Sequence, residues 1–348
     1  MRWDNLRLDG AQPADGEPAG LFEAGAVTRR FDTPEFRGMT FYEVHARSVL
    51  NRVPAASRLP FSWTVNPYRG CTHACRYCFA RNTHTYLDLD AGADFDSRIV
   101  VKVNAGAALR RELAGPSWRG ELIAMGTNTD PYQRVEGRYR LMPEILDALT
   151  ERANPFSILT KGSLILRDLD RLRRAAEVTD VSVAVSIGHV DAAVWRAVEP
   201  GTPSPRKRLE VCARLVEAGI GCAVLMAPVL PYLTDSPDQL AETVQAIAAT
   251  GARSVTPIVL HLRPGAREWF LAWLAGAHPE LIASYERLYA RGAYAPASYR
   301  HRISALVGEL AAAHGIAPPA ESTRFTRVPA AIPSEPDEPS ASGQLAFL

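Results

Sequence analysis

Cys71, Cys75 and Cys78 form a Cys-x3-Cys-x2-Cys run within residues 66–79, NPYRGCTHACRYCF. Structural zinc takes four protein ligands and a [4Fe-4S] cluster has four irons, so three thiolates leave one coordination position open for a small molecule. The competing chemistry is a closed zinc site in which His73 or His84 supplies the fourth ligand. A disulfide framework fits less well, because residues 1–20 are polar, rich in Pro, Gly and Asp, and hold no apolar signal segment. A cytoplasmic chain is expected, and there clustered thiols point to metal or catalysis.

Such a loop needs a rigid frame. With 348 residues, 47% of them hydrophobic, and a net charge of +1, the chain can bury one large core with a small accessory part. No apolar run is long enough to span a membrane. Near-neutral charge is not the footprint of a non-specific nucleic-acid binder, although a local patch is compatible with it. Only Lys102, Lys161 and Lys207 are lysines, against 39 basic residues in all, so each ammonium stands out from a background of guanidinium groups.

Short Val- and Ile-rich runs at 63–66, 121–125, 156–160, 181–186, 222–227 and 254–260 alternate with segments of helical periodicity such as 143–152 and 238–249. This is an α/β pattern with a parallel sheet, and six units fit a partial (β/α)6 barrel of TIM type. Functional groups in such folds gather at the C-terminal ends of the strands. The cysteine loop follows strand one, Gly126-Thr-Asn-Thr-Asp-Pro-Tyr-Gln133 strand two and Lys161 strand three. Ser186 ends strand four, Ala227 strand five, and strand six runs into His261.

The cysteine spacing, with Tyr77 and Phe79 around the last thiol, resembles the signature of radical S-adenosylmethionine (SAM) enzymes. That resemblance implies a [4Fe-4S] cluster on Cys71, Cys75 and Cys78, with S-adenosyl-L-methionine at the fourth iron. It also implies reductive cleavage to a 5'-deoxyadenosyl radical, with an electron donor such as flavodoxin or ferredoxin. Thr127, Asn128, Thr129 and Asp130 then suit the SAM amino group, Lys161 its carboxylate, and Ser186 the carboxylate or ribose. Together with residues 37–44 (RGMTFYEV), 126–134 (GTNTDPYQR) and 261–270 (HLRPGAREWF), the pattern resembles the branch allied to spore photoproduct lyase. More narrowly, it resembles an uncharacterised actinobacterial family of that branch over residues 1–317. The lyase's cluster ligands and SAM contacts map to Cys71, Cys75, Cys78, Lys161, Ser186 and Ala227. Its hydrogen-donor cysteine falls on Thr127. Of its two relay tyrosines one is Tyr77 and the other is replaced by Phe79. A hydroxyl cannot give up hydrogen as a thiol does, so the resemblance implies a lyase-type or nucleic-acid-modifying enzyme that lacks two of the residues the lyase's own reaction uses.

Cys212 in a helical pattern and Cys222 early in strand five read as packing thiols. Residues 199–208 (EPGTPSPRKR) read as a Pro-rich loop, either solvated and capped by Ser or Thr or placing three consecutive cations on phosphates. An extruded base would then stack on Tyr68, Tyr132 or Trp195. The organisation expected is an N-terminal extension (1–60), a radical SAM core (61–265), a C-terminal helical cap (266–328) whose aromatic residues pack, and a disordered tail (329–348). Gln344, Leu345, Phe347 and Leu348 at its end resemble a bacterial sliding-clamp-binding peptide. The leading expectation is a radical SAM enzyme acting in nucleic-acid repair or modification. A peptide or small-molecule substrate, and a non-catalytic zinc-binding interaction protein, are the alternatives.

Overall fold

The computed structural model describes residues 26–54, 57 and 59–316. Its strands are β1 (Val27–Arg29), β2 (Thr40–Val44), β3 (Leu50–Arg52), β4 (Trp63–Val65), β5 (Tyr68–Arg69), β6 (Arg98–Lys102), β7 (Ile123–Met125), β8 (Phe156–Thr160), β9 (Val181–Ser186), β10 (Cys222–Val229) and β11 (Ser254–Val259). Seven of them form one sheet in the order β11-β10-β9-β8-β7-β4-β3. The six from β4 to β11 pair in parallel, as with Trp63 opposite Ile123 and Phe156 opposite Val181, while β3 runs antiparallel along β4. Among the described residues β11 pairs with β10 alone, so the sheet is an open barrel. These are the six strands that the sequence places.

The connecting helices are set by their caps and apolar faces. Helix Pro237–Ala248 starts with Ser236 and Gln239 capping each other's backbone and turns Leu240, Val244 and Ile247 inward. Helix Pro205–Glu217 starts with Pro205 at its first position and Ser204 accepting from the Lys207 N–H. Helices Ala266–Ala277, Ile282–Leu288 and Ala297–Ala313 follow the last strand. The longest packs on β11 and on Pro237–Ala248, extending the barrel's outer layer.

The sequence reading lacked a second, four-stranded sheet in the order β1-β2-β6-β5. Its centre is β6, Arg-Ile-Val-Val-Lys, whose apolar run of only three residues between charges carries no clear period. Phe41 on β2 and Ile99 on β6 are fully buried neighbours in register. The described part of the N-terminal segment thus contributes β1 and β2 to this sheet and β3 to the edge of the barrel sheet. Among the described residues no helix is long and apolar enough to cross a membrane. The suggested clamp-binding residues Gln344, Leu345, Phe347 and Leu348 lie outside the described residues.

Candidate metal and cofactor site

The cysteine loop is held on three sides by groups that bind its backbone. From the β7 side, Gln133 accepts from the Thr72 N–H at 2.8 Å and donates to the Gly70 carbonyl at 3.2 Å, while Arg134 donates to the Thr72 carbonyl at 3.1 Å. From the β9 side, Gly201 donates its N–H to the His73 carbonyl at 3.0 Å. A Cβ on Gly201 would come 2.2 Å from the Thr72 carbonyl oxygen, so only glycine permits this approach.

The third support is Arg81, three residues past the last thiol and fully buried. Its guanidinium donates to the Cys75 carbonyl at 2.8 Å, to the Gly92 carbonyl at 2.7 Å and to both oxygens of Asp96 at 2.8 and 2.9 Å. Trp269 and Phe95 lie against it, their ring centroids 4.8 and 5.3 Å from the guanidinium carbon. All three thiols are free. Burial pushes each of them up, Cys75 to about 12; Asp130 reinforces this at Cys71, whereas Lys161 opposes it at Cys75 and Arg81 and Lys161 oppose it at Cys78. Metal binding would therefore release thiol protons.

Of the strand-end residues, Lys161 places its ammonium 5.7 Å from the centre of the Tyr77 ring. The Tyr77 hydroxyl donates to Glu199, which also accepts from Arg208. Arg208 in turn donates to the Ser186 carbonyl at 2.9 Å, and the Ser186 hydroxyl donates to the Ala227 carbonyl at 2.9 Å. One buried chain thus links the cysteine loop, β9 and β10. Burial pushes the Glu199 carboxyl up, but Arg208, Lys161, His189 and the Tyr77 hydroxyl outweigh it and hold it at about 2. Burial, reinforced by Glu199, pushes the Tyr77 phenol well up, so it remains a donor.

The β7 loop divides into two pairs. Thr129 donates to the Tyr68 carbonyl at 3.1 Å. Asp130 accepts from the Thr160 hydroxyl at 2.6 Å, the Lys161 N–H at 2.6 Å and the Tyr132 N–H at 2.9 Å, which fixes the β7 and β8 loops together. Thr127 Oγ1 and Asn128 Oδ1, by contrast, are buried and unpartnered, as is Asn66 Oδ1. Buried polar atoms are nearly always hydrogen-bonded, so such orphans fit an absent polar ligand. Gly126 allows this loop to fold: its φ is +87° and a Cβ would meet the Leu159 carbonyl oxygen at 1.9 Å.

The two histidines considered as fourth zinc ligands have other roles. His84 binds the Arg98 carbonyl through Nε2 at 2.9 Å and sits edge-on to Phe95, while Nδ1 of His73 faces Asp130 at 3.4 Å. Among the described residues no group of three or more His, Cys, Asp or Glu side chains is drawn together as for a single metal ion. The three-cation run also changes meaning. Arg208 is fully buried and Lys207 pairs with Glu210 at 2.8 Å, leaving Arg206 exposed. Tyr68 and Tyr132 are likewise sealed in the core, and Trp195 donates to Thr202 at 2.9 Å. Burial withdraws the two tyrosines as stacking platforms. Arg81, Gln133, Glu199 and Arg208 are the residues that sequence reasoning missed as supports. Their only sequence signal is proximity to quoted motifs, because a buried arginine reads like a solvated one.

An open parallel β/α barrel with a three-cysteine loop at the C-terminal end of its first barrel strand and a lysine at the end of its third defines a radical SAM protein. The radical SAM superfamily profile matches residues 65–245, and the chain belongs to that superfamily. An uncharacterized protein of Mycobacterium tuberculosis (strain ATCC 25618 / H37Rv) is 50% identical over 340 residues, covering 95% of this chain and all of the relative. An uncharacterized protein of Methanocaldococcus jannaschii is 29% identical over 203 residues, covering 58% of this chain and 72% of the relative. Among solved structures, spore photoproduct lyase complexed with dinucleoside spore photoproduct superimposes with a TM-score of 0.57 at 16% identity, covering 79% of each chain. Its double mutant with bound AdoMet gives a TM-score of 0.54 at 16% identity, over 74% of this chain and 76% of that one. These likenesses establish the shared fold.

Proposed function

We propose that the protein is a radical SAM enzyme that holds a [4Fe-4S] cluster on Cys71, Cys75 and Cys78 and cleaves S-adenosyl-L-methionine, with nucleic acid as its substrate class. The observation that carries the cofactor reading is the pairing of three free thiols on one loop, with the Lys161 ammonium 5.7 Å from the ring centre of Tyr77 in that loop, with the unpartnered buried acceptors of Thr127 and Asn128. When bound, the cluster and SAM supply a 5'-deoxyadenosyl radical able to abstract hydrogen. The chain's own residues do the positioning. Lys161 offers a compact cation for a carboxylate, and Thr127 and Asn128 offer acceptors for an ammonium. The Tyr77–Glu199–Arg208 chain keeps the wall between Cys75 and Ser186 rigid. Asp130 and Thr129 hold the loops that carry these groups, so their replacement acts through geometry.

The nucleic-acid reading is supported by Arg263, which lies 6.0 Å from the ring centre of Phe79, the last thiol's neighbour, and donates to the hydroxyl of the exposed Tyr294. The lyase reaction is not proposed, because Thr127 stands where a thiol would be required. A one-electron donor of the flavodoxin or ferredoxin kind completes the scheme.

Anaerobic reconstitution tests the cofactor reading. About four irons and four sulfides per chain are expected, with release of 5'-deoxyadenosine from SAM on reduction, and replacing any one of Cys71, Cys75 or Cys78 by Ala should abolish both. Colourless protein holding one zinc, with no SAM cleavage, would sink it in favour of the interaction-protein alternative. Deuterium transfer into 5'-deoxyadenosine from labelled oligonucleotides tests the substrate class, with labelled peptides and small molecules as competing arms.

A further inference from the structure

The C-terminal segment that follows β11 brings an unusual set of side chains back to the barrel. Leu262 donates its N–H to the Ala293 carbonyl at 2.8 Å, and an antiparallel bridge joins His261 to Tyr294. This pairing fixes Tyr294 against the extension of β11, and the residue remains 44% exposed. The His261 ring lies 4.5 Å away, tilted by 59°. Arg263 donates to the Tyr294 hydroxyl at 2.8 Å, and the guanidinium carbons of Arg263 and Arg300 are both 5.9 Å from the ring centre. Arg302 lies 4.9 Å over the neighbouring Tyr299.

Two features set this cluster apart from ordinary packing. Tyr294 is exposed, whereas Tyr285 and Tyr289 of the same segment are sealed, Tyr285 donating to the Pro231 carbonyl and Tyr289 to the Leu260 carbonyl. Among the described residues, moreover, no carboxylate pairs with Arg263, Arg300 or Arg302. Arg263 also faces the Phe79 ring at 6.0 Å, and Phe79 directly follows Cys78. The cluster is therefore continuous with the thiol loop.

We propose that Tyr294, flanked by Arg263 and Arg300 and backed by His261, is a stacking platform for a nucleobase of a single-stranded or locally opened nucleic acid, with Arg263, Arg300 and Arg302 meeting its phosphates. The proposal rests on the nucleic-acid reading above and deepens it. An exposed ring stacks any base, and guanidinium groups without carboxylate partners give up little to bind phosphate. Burial, with Arg263 and Arg300, pushes His261 down to about 4, which leaves its imidazole neutral and the local positive charge to the arginines. A chain of net charge +1 needs a local patch of this kind to hold a polyanion. The platform would hold a nucleotide near the one presented to the radical and so set where on the strand the chemistry falls.

Anisotropy of a fluorescein-labelled ten-residue oligothymidylate, titrated with the anaerobically reconstituted full chain, tests the platform. Tyr294→Ala should weaken binding by roughly ten-fold, and Tyr294→Phe should retain most of it. Arg300→Ala and Arg302→Ala should each reduce the slope of log affinity against log salt by about 0.7, as expected for one lost phosphate contact to a single strand. These arginine variants also decide the matter if Tyr294→Ala fails to fold. Wild-type binding with unchanged Tyr294→Ala affinity and unchanged salt slopes would overturn the platform and leave the nucleic-acid reading standing. A wild-type chain that cleaves SAM yet binds no oligonucleotide would overturn both. Loss of affinity for a peptide substrate in the same variants, with the oligonucleotide unaffected, would make this a protein-docking surface and overturn the platform.

Discussion

Arginine is used in opposite ways at the floor of the site and at its mouth. Below and beside the thiols, Arg81 and Arg208 are fully buried, and each guanidinium is shared between a carboxylate and loop or strand carbonyls. At the mouth, Arg263, Arg300 and Arg302 lie against partly exposed rings, without a carboxylate among the described residues. Taking a guanidinium out of water is costly, so a buried one persists only where several acceptors meet it. A solvated one keeps its capacity to bind. The floor arginines accordingly position the loop, and the mouth arginines keep the capacity to meet a ligand.

The sharpest way to break this contrast is to remove a floor cation. Arg208→Met leaves Glu199 charged, buried and without its main partner, and should cost about 3–5 kcal/mol, read from the urea midpoint. The double variant Glu199→Gln/Arg208→Met should recover most of that loss. The same pair gives a pH signature. Glu199 is held at about 2 against an ordinary value of 4.5, so its contribution is present above about pH 4.5 and lost as pH falls towards 2. Stability of the double variant should fall less steeply across that window. Equal slopes would show that the pair does not govern the acid limb.

Arg81→Ala comes next. Asp96 would lose its partner and the Cys75 carbonyl its donor, with an expected cost of about 3 kcal/mol and faster iron loss from reconstituted protein. Arg81→Lys keeps the charge but cannot span Cys75, Gly92 and Asp96 together. It should recover part of the stability while leaving iron retention impaired. Full retention by the lysine variant would make charge, not geometry, the function of Arg81. Gly201→Ala sharpens the same point without altering charge. The clash with Thr72 should cost about 1–3 kcal/mol and loosen the cysteine loop. At the small end, Arg302→Ala should change stability by less than about 0.5 kcal/mol, its effect appearing only in the salt dependence of oligonucleotide binding.

Much of the frame is legible in the chain because it repeats. Six β/α units announce themselves by alternating apolar runs and capped helices, and the loops after them carry the polar residues. The four-stranded sheet escaped because β6 is three apolar residues between charges and pairs with segments far away in sequence. The division of the β7 loop escaped for a related reason. Thr127, Asn128, Thr129 and Asp130 are equally polar in the sequence, yet Asp130 is bound by the β8 backbone while Thr127 and Asn128 are left with unpartnered acceptors.

The three-cation run shows the same limit: helix capping turns Arg208 inward to Glu199 and leaves Arg206 outside.

The sequence by itself determined the superfamily signature, since thiol spacing is a local property and three cysteines within eight residues must share one loop. It also determined the barrel, because hydrophobic period is local too. Only the tertiary structure decided which polar and cationic side chains are spent on holding that loop and which remain to meet a ligand. That choice depends on desolvation and on the acceptors brought from distant strands, and neither is written in the neighbouring residues.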